Sequence, residues 1–113
     1  GFTFVKLVTA LQFEREGKLM NHCVGNGSYY NTWRLNRERE YYSLRDRNNK
    51  PHATLEVSFN HSHPLNRKGT VNQCKGNSNG KPAKEYQVYL RRFVRDMDFA
   101  VSGDGSHIDM TST

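Results

Sequence analysis

The spacing of apolar residues predicts where the first helix lies. Within the segment 10–20, an apolar or small residue recurs at every third or fourth position: Ala10, Phe13, Gly17 and Met20. This is the pattern of a helix with one buried face. The preceding TALQ forms a capping box, in which the side chains of Thr9 and Gln12 each bond the other's backbone N–H. The sequence therefore predicts a helix that begins after Thr9 and ends near Val24.

A second stripe at helical spacing lies near the C-terminus. Its members are Tyr86, Tyr89, Leu90, Phe93, Val94 and Met97. Pro82 suits the first turn of a helix, because its fixed φ is already helical and its missing N–H is not needed there. We expect one compact domain over residues 1–98 that ends with this helix. Residues 99–113 are predicted to be a short, partly disordered tail.

Between the two helices the apolar period changes to two, which predicts strands. YYSLRD (41–46) and PHATLEV (51–57) flank the turn RNNK and predict a hairpin, and TVNQCK (70–75) predicts a third short strand. FTFVKLV (2–8) also favours extended structure. The predicted fold is α+β, with an N-terminal helix, a three- to four-stranded antiparallel meander and a C-terminal helix. Both helices are expected to cover the apolar face of Leu44, Leu55 and Val57.

That arrangement leaves the opposite sheet face partly open, and its side chains are unusually suited to chemistry. They are Ser43, Arg45, His52, Thr54, Glu56, Gln73 and Lys75. Neighbouring strands lie about 4.8 Å apart, so these groups could converge on one small anion. The alternative is an ordinary solvated face, which is common in antiparallel sheets.

The charge of the chain favours a polyanionic partner. Seventeen Lys and Arg against eleven Asp and Glu give a net charge of +6, accompanied by six Tyr, six Phe and one Trp. Basic excess with aromatic residues is typical of nucleic-acid-binding proteins, and RNA is the expected partner ahead of DNA. A basic surface that serves solubility alone is the alternative. No apolar run approaches the roughly 18 residues of a membrane span, so we expect no membrane partner. Two cysteines are too few for a disulfide framework, which favours a reducing cytoplasm.

His22 and Cys23 follow the first predicted helix, just before Gly25. His22 could reach the polar sheet face, or it could simply cap the end of the helix. Cys23 is more typical of a buried small side chain. His61 and His63 offer further metal ligands, but none of these residues has the paired spacing of a zinc site. We therefore expect neither a metal nor a cofactor.

Five blocks follow one another over about residues 16–94: EGKLMNHCVG, YYSLRD, PHATLEV, QCKGNSN and EYQVYLRRFV. Together they resemble the PcfJ-like family, which is found on conjugative elements and phages. The resemblance implies a mobile-element protein in a bacterial host, but no particular reaction. The positions it implies are His22, Cys23, Ser43, Arg45, His52, Thr54, Glu56, Gln73, Lys75, Gly76 and Asn77.

The leading functional hypothesis is a metal-independent ribonuclease. Its predicted catalytic residues are His22, Arg45, Glu56 and Lys75. Its predicted substrate-binding residues are Ser43, His52, Thr54, Gln73, Asn77, Arg91, Arg92 and Arg95. In this scheme Glu56 or His22 is the general base, and the cations neutralise charge on the phosphorane. The alternatives are a non-catalytic nucleic-acid-binding module and an NAD-using enzyme similar to ADP-ribosyltransferases. The sequence leaves the oligomeric state open.

Overall fold

The computed structural model describes residues 1–21, 39–59, 69–102 and 106–111. Its elements are β1 (Thr3–Lys6), α1 (Ala10–Met20), β2 (Arg39–Arg45), β3 (Pro51–Phe59), β4 (Gly69–Lys75), α2 (Gln87–Asp96) and β5 (Ala100–Val101). Two short 3₁₀ turns, at 77–79 and 84–86, connect β4 to α2. The α+β class is confirmed. Neither helix in these described ranges is long and apolar enough to cross a membrane.

The five strands form one sheet in the order β1-β2-β3-β4-β5. The first four are antiparallel, and the predicted β2–β3 hairpin is confirmed. The fifth strand pairs parallel to β4, with Thr70 opposite Ala100 and Val71 opposite Val101. The prediction of a purely antiparallel meander of three or four strands is therefore wrong. A strand of two residues is too short to show an alternating pattern, and the α2 crossover permits the parallel pairing.

Helix α1 begins where its sequence predicts, but it is not the first element and it ends early. The Thr9 hydroxyl accepts a bond from the Gln12 N–H at 3.1 Å, and the Gln12 side chain accepts from the Thr9 N–H at 3.0 Å. Asn21 ends the helix in the left-handed region, with φ of 53°. The helix therefore stops before His22 and not near Val24. His22, Cys23, His61 and His63 lie outside the described residues.

The apolar face of the sheet packs against α2. Leu44, Leu55 and Val57 form a buried cluster with Leu90 and Val94 of this helix. The cluster also contains Cys74, which is a fully buried free thiol. This face is thus closed by one helix.

The prediction that both helices cover the apolar face is wrong, because α1 packs on the other side. Its Phe13 ring contacts the Tyr41 ring at 5.3 Å, and its Glu16 carboxylate bonds to Thr54. Tyr41 and Thr54 alternate along their strands with the apolar residues Tyr42 and Leu55, so they face away from α2. The physical reason is that the buried face of α1 includes a carboxylate, which has partners on the polar face only.

Part of the predicted C-terminal tail packs onto the domain. Ala100 and Val101 form β5, and Ile108 joins the core cluster beneath α2. Gln87 ties this segment to the helix, since its Nε2 donates to the His107 carbonyl at 2.8 Å and its Oε1 accepts from the Asp109 N–H at 3.0 Å. The proposed domain boundary at residue 98 stays a prediction, but the chain beyond it contributes to the core.

Candidate functional site

The strand register brings most of the predicted polar face together. Ser43 lies opposite Thr54, which in turn lies opposite Lys75 on β4. In the next row Glu56 is opposite Gln73. The sequence therefore identified true neighbours. The face they occupy is nevertheless not open, because α1 covers it.

A buried ion pair between α1 and the sheet occupies the centre of this face. The Thr54 hydroxyl donates to Glu16 Oε2 at 2.6 Å, and Arg45 Nη2 donates to Glu16 Oε1 at 3.4 Å. The Arg45 guanidinium also donates to the Ser43 hydroxyl at 3.2 Å and to the Asn49 side chain at 3.1 Å. Glu16 and Ser43 are fully buried, and Arg45 is 9% exposed. These contacts attach the helix to the sheet and leave little of the guanidinium for a substrate.

Glu56, which with His22 was one of two predicted general bases, is also engaged. The Tyr41 hydroxyl donates to its Oε2 at 2.9 Å, and Arg39 lies 3.6 Å from its Oε1. Burial and then the nearby Glu56 charge raise the pKa of Tyr41 far above its usual range, so this donor keeps its proton. Glu56 is 5% exposed, whereas the Arg39 side chain is 41% exposed. The carboxylate thus has partners for both oxygens beneath a partly exposed cation.

His52 leaves the polar row and takes part in a different group of residues. The β2–β3 register shifts after Leu44, so that Pro51 and not His52 lies opposite Arg45. The His52 ring stacks on Tyr86 at 4.7 Å between centroids and meets the edge of Phe2 at 5.9 Å. The irregularity in the ladder therefore moves this imidazole to the segment that precedes α2.

Asp46 fixes the imidazole in one orientation. Its Oδ2 lies 2.9 Å from His52 Nε2, and its Oδ1 accepts from the backbone N–H groups of Asn48 at 2.8 Å and Lys50 at 3.0 Å. The hydrogen bond from His52, followed by the Lys50 N–H, lowers the pKa of Asp46. An ionised carboxylate can only accept hydrogen bonds, so Nε2 carries a proton and a neutral imidazole has its lone pair on Nδ1.

The second nitrogen of this ring is available. Among the described residues His52 Nδ1 has no hydrogen-bond partner. The His52 side chain is 18% exposed, so the ring is not sealed from solvent. A carboxylate-held imidazole with one accessible nitrogen is the arrangement of a general base.

His52 lines a pocket of about 320 Å³ at the end of the sheet. The pocket lies between the end of α1, the β2–β3 turn and the segment from β4 to α2, and its lining includes Met20, Lys50, Asn77, Lys81 and Tyr86. Its volume falls within the usual range for small-molecule sites, and its two lysines favour an anion. Among the described residues, no three His, Cys, Asp or Glu side chains come together to hold a metal ion.

A closed loop after β4 presents Asn77 to this pocket. The Gly76 N–H bonds the Gly80 carbonyl at 2.8 Å, and the Gly80 N–H bonds the Asn77 carbonyl at 3.1 Å. Ser78 has φ of 59°, and its hydroxyl accepts from the Asn21 side chain at 3.1 Å. The loop is thus fixed to the end of α1, directly before His22 in the sequence.

The predicted substrate-binding arginines lie elsewhere. Arg91, Arg92 and Arg95 are on α2, which packs on the opposite face of the sheet from Ser43 and Thr54. Arg91 Nη1 donates to the Asp109 carbonyl at 3.3 Å, while Arg92 and Arg95 are exposed. The structure therefore does not bring all the predicted binding residues to one site.

The sequence did not predict a functional role for Asp46, which bonds His52, or for Lys50, Lys81 and Tyr86, which line the pocket. A signal was present for the first of them, since an Asp that opens a short turn bonds backbone N–H groups ahead of it. The register shift that brings His52 to this group cannot be read from alternation alone.

Comparisons with known proteins give a family and a fold. A family model described as PcfJ-like protein matches residues 1–90. No curated protein matches the chain. Among solved structures, the fold is similar to the aminoglycoside antibiotic 6′-N-acetyltransferase AAC(6′)-Ih from Acinetobacter baumannii, with a TM-score of 0.60 and 10% sequence identity over 91% of this chain and 80% of that chain. At this identity the likeness shows a shared fold alone.

Proposed function

The chain belongs to the PcfJ-like family, and we propose that it is an RNA-processing domain that cleaves RNA without a metal ion at the His52 pocket. The observation that carries the proposal is the imidazole held by Asp46 at 2.9 Å, with an accessible Nδ1, in a pocket lined by Lys50 and Lys81. The mobile-element origin and the bacterial cytoplasm are part of the same proposal.

The chemistry follows from the protonation state of the pair. Nδ1 of His52 takes the proton of a ribose 2′-hydroxyl, and the 2′-oxygen attacks the adjacent phosphorus. The bond to the 5′-oxygen breaks, which leaves a 2′,3′-cyclic phosphate and a 5′-hydroxyl. The departing oxygen needs a proton, for which the site offers the ammonium groups of Lys50 and Lys81. The same cations compensate the charge that builds on the phosphoryl oxygens.

The position of the pocket in the sequence adds support. Each block that resembles the PcfJ-like family contributes a residue to the pocket or to its carboxylate: Met20, Asp46, His52, Asn77 and Tyr86. Blocks that are far apart in the chain therefore meet at one place. A site shared by the family would need this convergence.

The catalytic roles first predicted for Arg45, Glu56 and Lys75 change under this proposal. We assign Arg45 and Glu56 to positioning, because their side chains are buried and bonded to Glu16 and Tyr41. His22 follows Asn21 directly in the sequence and stays a candidate for the second proton-transfer group. Lys75 is half-buried beside Thr54 and has no role in the scheme.

The test is cleavage of end-labelled RNA in excess EDTA. We expect His52→Ala to lower the rate by about 10²–10⁴-fold, the usual value for a general base. Asp46→Asn should lower it by about tenfold or more, because an amide can present a donor to Nε2 and select the wrong tautomer. Asp96→Asn removes one exposed carboxylate from the end of α2 and is the matched control. Circular dichroism confirms that each variant is folded.

The outcomes separate the competing functions. Cleavage by the wild type that persists in His52→Ala contradicts the proposed site. Binding without cleavage, with an affinity that falls steeply as salt rises, replaces the enzyme with a nucleic-acid-binding module. Absence of both cleavage and binding removes nucleic acid as the partner and leaves NAD as the next ligand to test.

A second candidate is transfer of an acyl group, the activity named for the acetyltransferase whose fold matches 91% of this chain. Coenzyme A is the common carrier of such groups, and calorimetric titration with it is a direct test. Tight binding of coenzyme A by a protein that does not cleave RNA would favour this candidate over the first.

A further inference from the structure

A second cavity of about 410 Å³ lies beside the His52 pocket. One wall is the segment from Lys81 to Gln87, and the other is the C-terminal segment from Ser106 to Asp109. The Gln87 side chain holds the two walls together through its bonds to the His107 carbonyl and the Asp109 N–H, at 2.8 and 3.0 Å. The cavity is therefore part of the packed domain.

Lys81 lines both cavities, so the two cavities share one cation. Lys50 adds a positive charge to the His52 pocket, and Lys84 adds one to the second cavity. Asp109 is the carboxylate in the second cavity. Its Oδ1 accepts from the N–H and the hydroxyl of Thr111, at 3.0 and 2.6 Å. Among the described residues that line the two cavities, the lysines therefore outnumber the carboxylates.

We infer that the two cavities hold two successive nucleotides of single-stranded RNA, with the phosphodiester between them bound by Lys81. This inference rests on the proposed function and names the form of its substrate. A phosphodiester carries one negative charge between two nucleosides, which matches one lysine shared by two cavities. Two separate cavities admit bases only when these are unpaired, so a duplex is not a substrate.

The experiment measures how much affinity a second nucleotide adds. The ligands are uridine 3′-monophosphate and the dinucleotide UpU, both with 2′-O-methyl groups that block cleavage. In the wild type we expect the dinucleotide to bind at least tenfold more tightly. Lys84→Ala should abolish that gain and leave the mononucleotide affinity unchanged, whereas Lys81→Ala should weaken both ligands. Lys18→Ala removes the same charge from an exposed position on α1 and should change neither affinity.

Each outcome decides between the inference and the function on which it rests. If RNA is cleaved through His52 but Lys84→Ala keeps the full gain, the second cavity is not a nucleotide site. Equal affinity for a longer RNA in its single-stranded and duplex forms also overturns the inference. Coenzyme A binding that is lost in Lys84→Ala, in a protein indifferent to UpU, assigns the cavity to another ligand. If the wild type neither binds nor cleaves RNA, both the inference and the proposed function are refuted.

Discussion

Replacement of Glu16 by Gln should destabilise the protein severely, because this carboxylate is the counter-ion of a buried arginine. Glu16 is fully buried, accepts from Thr54 at 2.6 Å and pairs with Arg45 at 3.4 Å. The amide keeps the shape of the side chain but removes its charge, and it can place an N–H against the guanidinium. Removing one partner of a buried pair costs about 3–5 kcal/mol.

The same helix provides the control. Glu14 pairs with Lys18 at 3.6 Å on the exposed side of α1, with 57% of its side chain accessible. An exposed pair four residues apart is worth about 0.3–0.5 kcal/mol. Glu14→Gln should therefore leave the free energy of unfolding almost unchanged, although the chemical change is identical.

Urea unfolding measures the difference in free energy, and thermal unfolding measures the melting temperature, both followed by circular dichroism. For a domain of this size the melting temperature falls by about 4 °C per kcal/mol, so Glu16→Gln should lower it by about 12–20 °C. The double variant Glu16→Gln/Arg45→Met should recover part of this loss, because no charge is then left unpaired. If Glu16→Gln does not fold, Thr54→Val tests the same network with a smaller loss of about 1.5–3 kcal/mol.

A loss below about 1 kcal/mol for Glu16→Gln, or one equal to that of Glu14→Gln, would refute the assignment of a dry ion pair. Arg45 would then be free to contact a substrate, as the sequence first indicated. The measurement therefore also decides between structural and catalytic roles for the guanidinium.

Three further predictions concern other parts of the fold. Burial raises the pKa of Tyr41 and Tyr42, so the folded state keeps protons that the unfolded chain loses above about pH 10. The free energy of unfolding should therefore fall as pH rises past that value, and pH-independent stability there would contradict this. Gly76→Ala would place a methyl group 2.7 Å from the Lys81 carbonyl oxygen, so it should lower the free energy of unfolding by about 1–3 kcal/mol and reduce RNA cleavage. Unchanged cleavage would show that the loop can shift freely. Thr9→Ala removes the α1 cap and should cost about 1 kcal/mol in thermal unfolding, with cleavage retained; no change in melting temperature would mean that the cap contributes nothing.

Local signals in the sequence predicted the elements well. The Thr9–Gln12 capping box identified the start of α1 to the residue, and the alternation on either side of RNNK identified the hairpin. The side of the sheet on which α1 packs was predicted wrongly, because the buried face of α1 was taken to be apolar and Glu16 was left out of it. This residue lies three positions after Phe13 and four before Met20, and therefore on the same face. Its partners, Arg45 and Thr54, can be identified only from the sheet register.

The candidate site was predicted in part. His52 and Asn77 were both identified as substrate-binding residues, and both line the pocket. The sequence placed His52 with Glu56, however, because strict alternation puts them on one face. The register shift beside Pro51 separates them and brings His52 to Asp46. Such a shift depends on how two strands pair, and no single strand contains that information.

The buried carboxylate of α1 has a consequence for how the chain reaches its fold. If α1 were to dock on the apolar face, Glu16 would lie unpaired against residues such as Leu44 and Leu55, and Arg45 would lose its counter-ion on the other side. Each unpaired buried charge costs several kcal/mol, so a compact state in which the two helices have exchanged sides cannot persist. Chemically distinct faces thus give each helix only one place to dock, which removes a misfolded competitor that two apolar faces would permit.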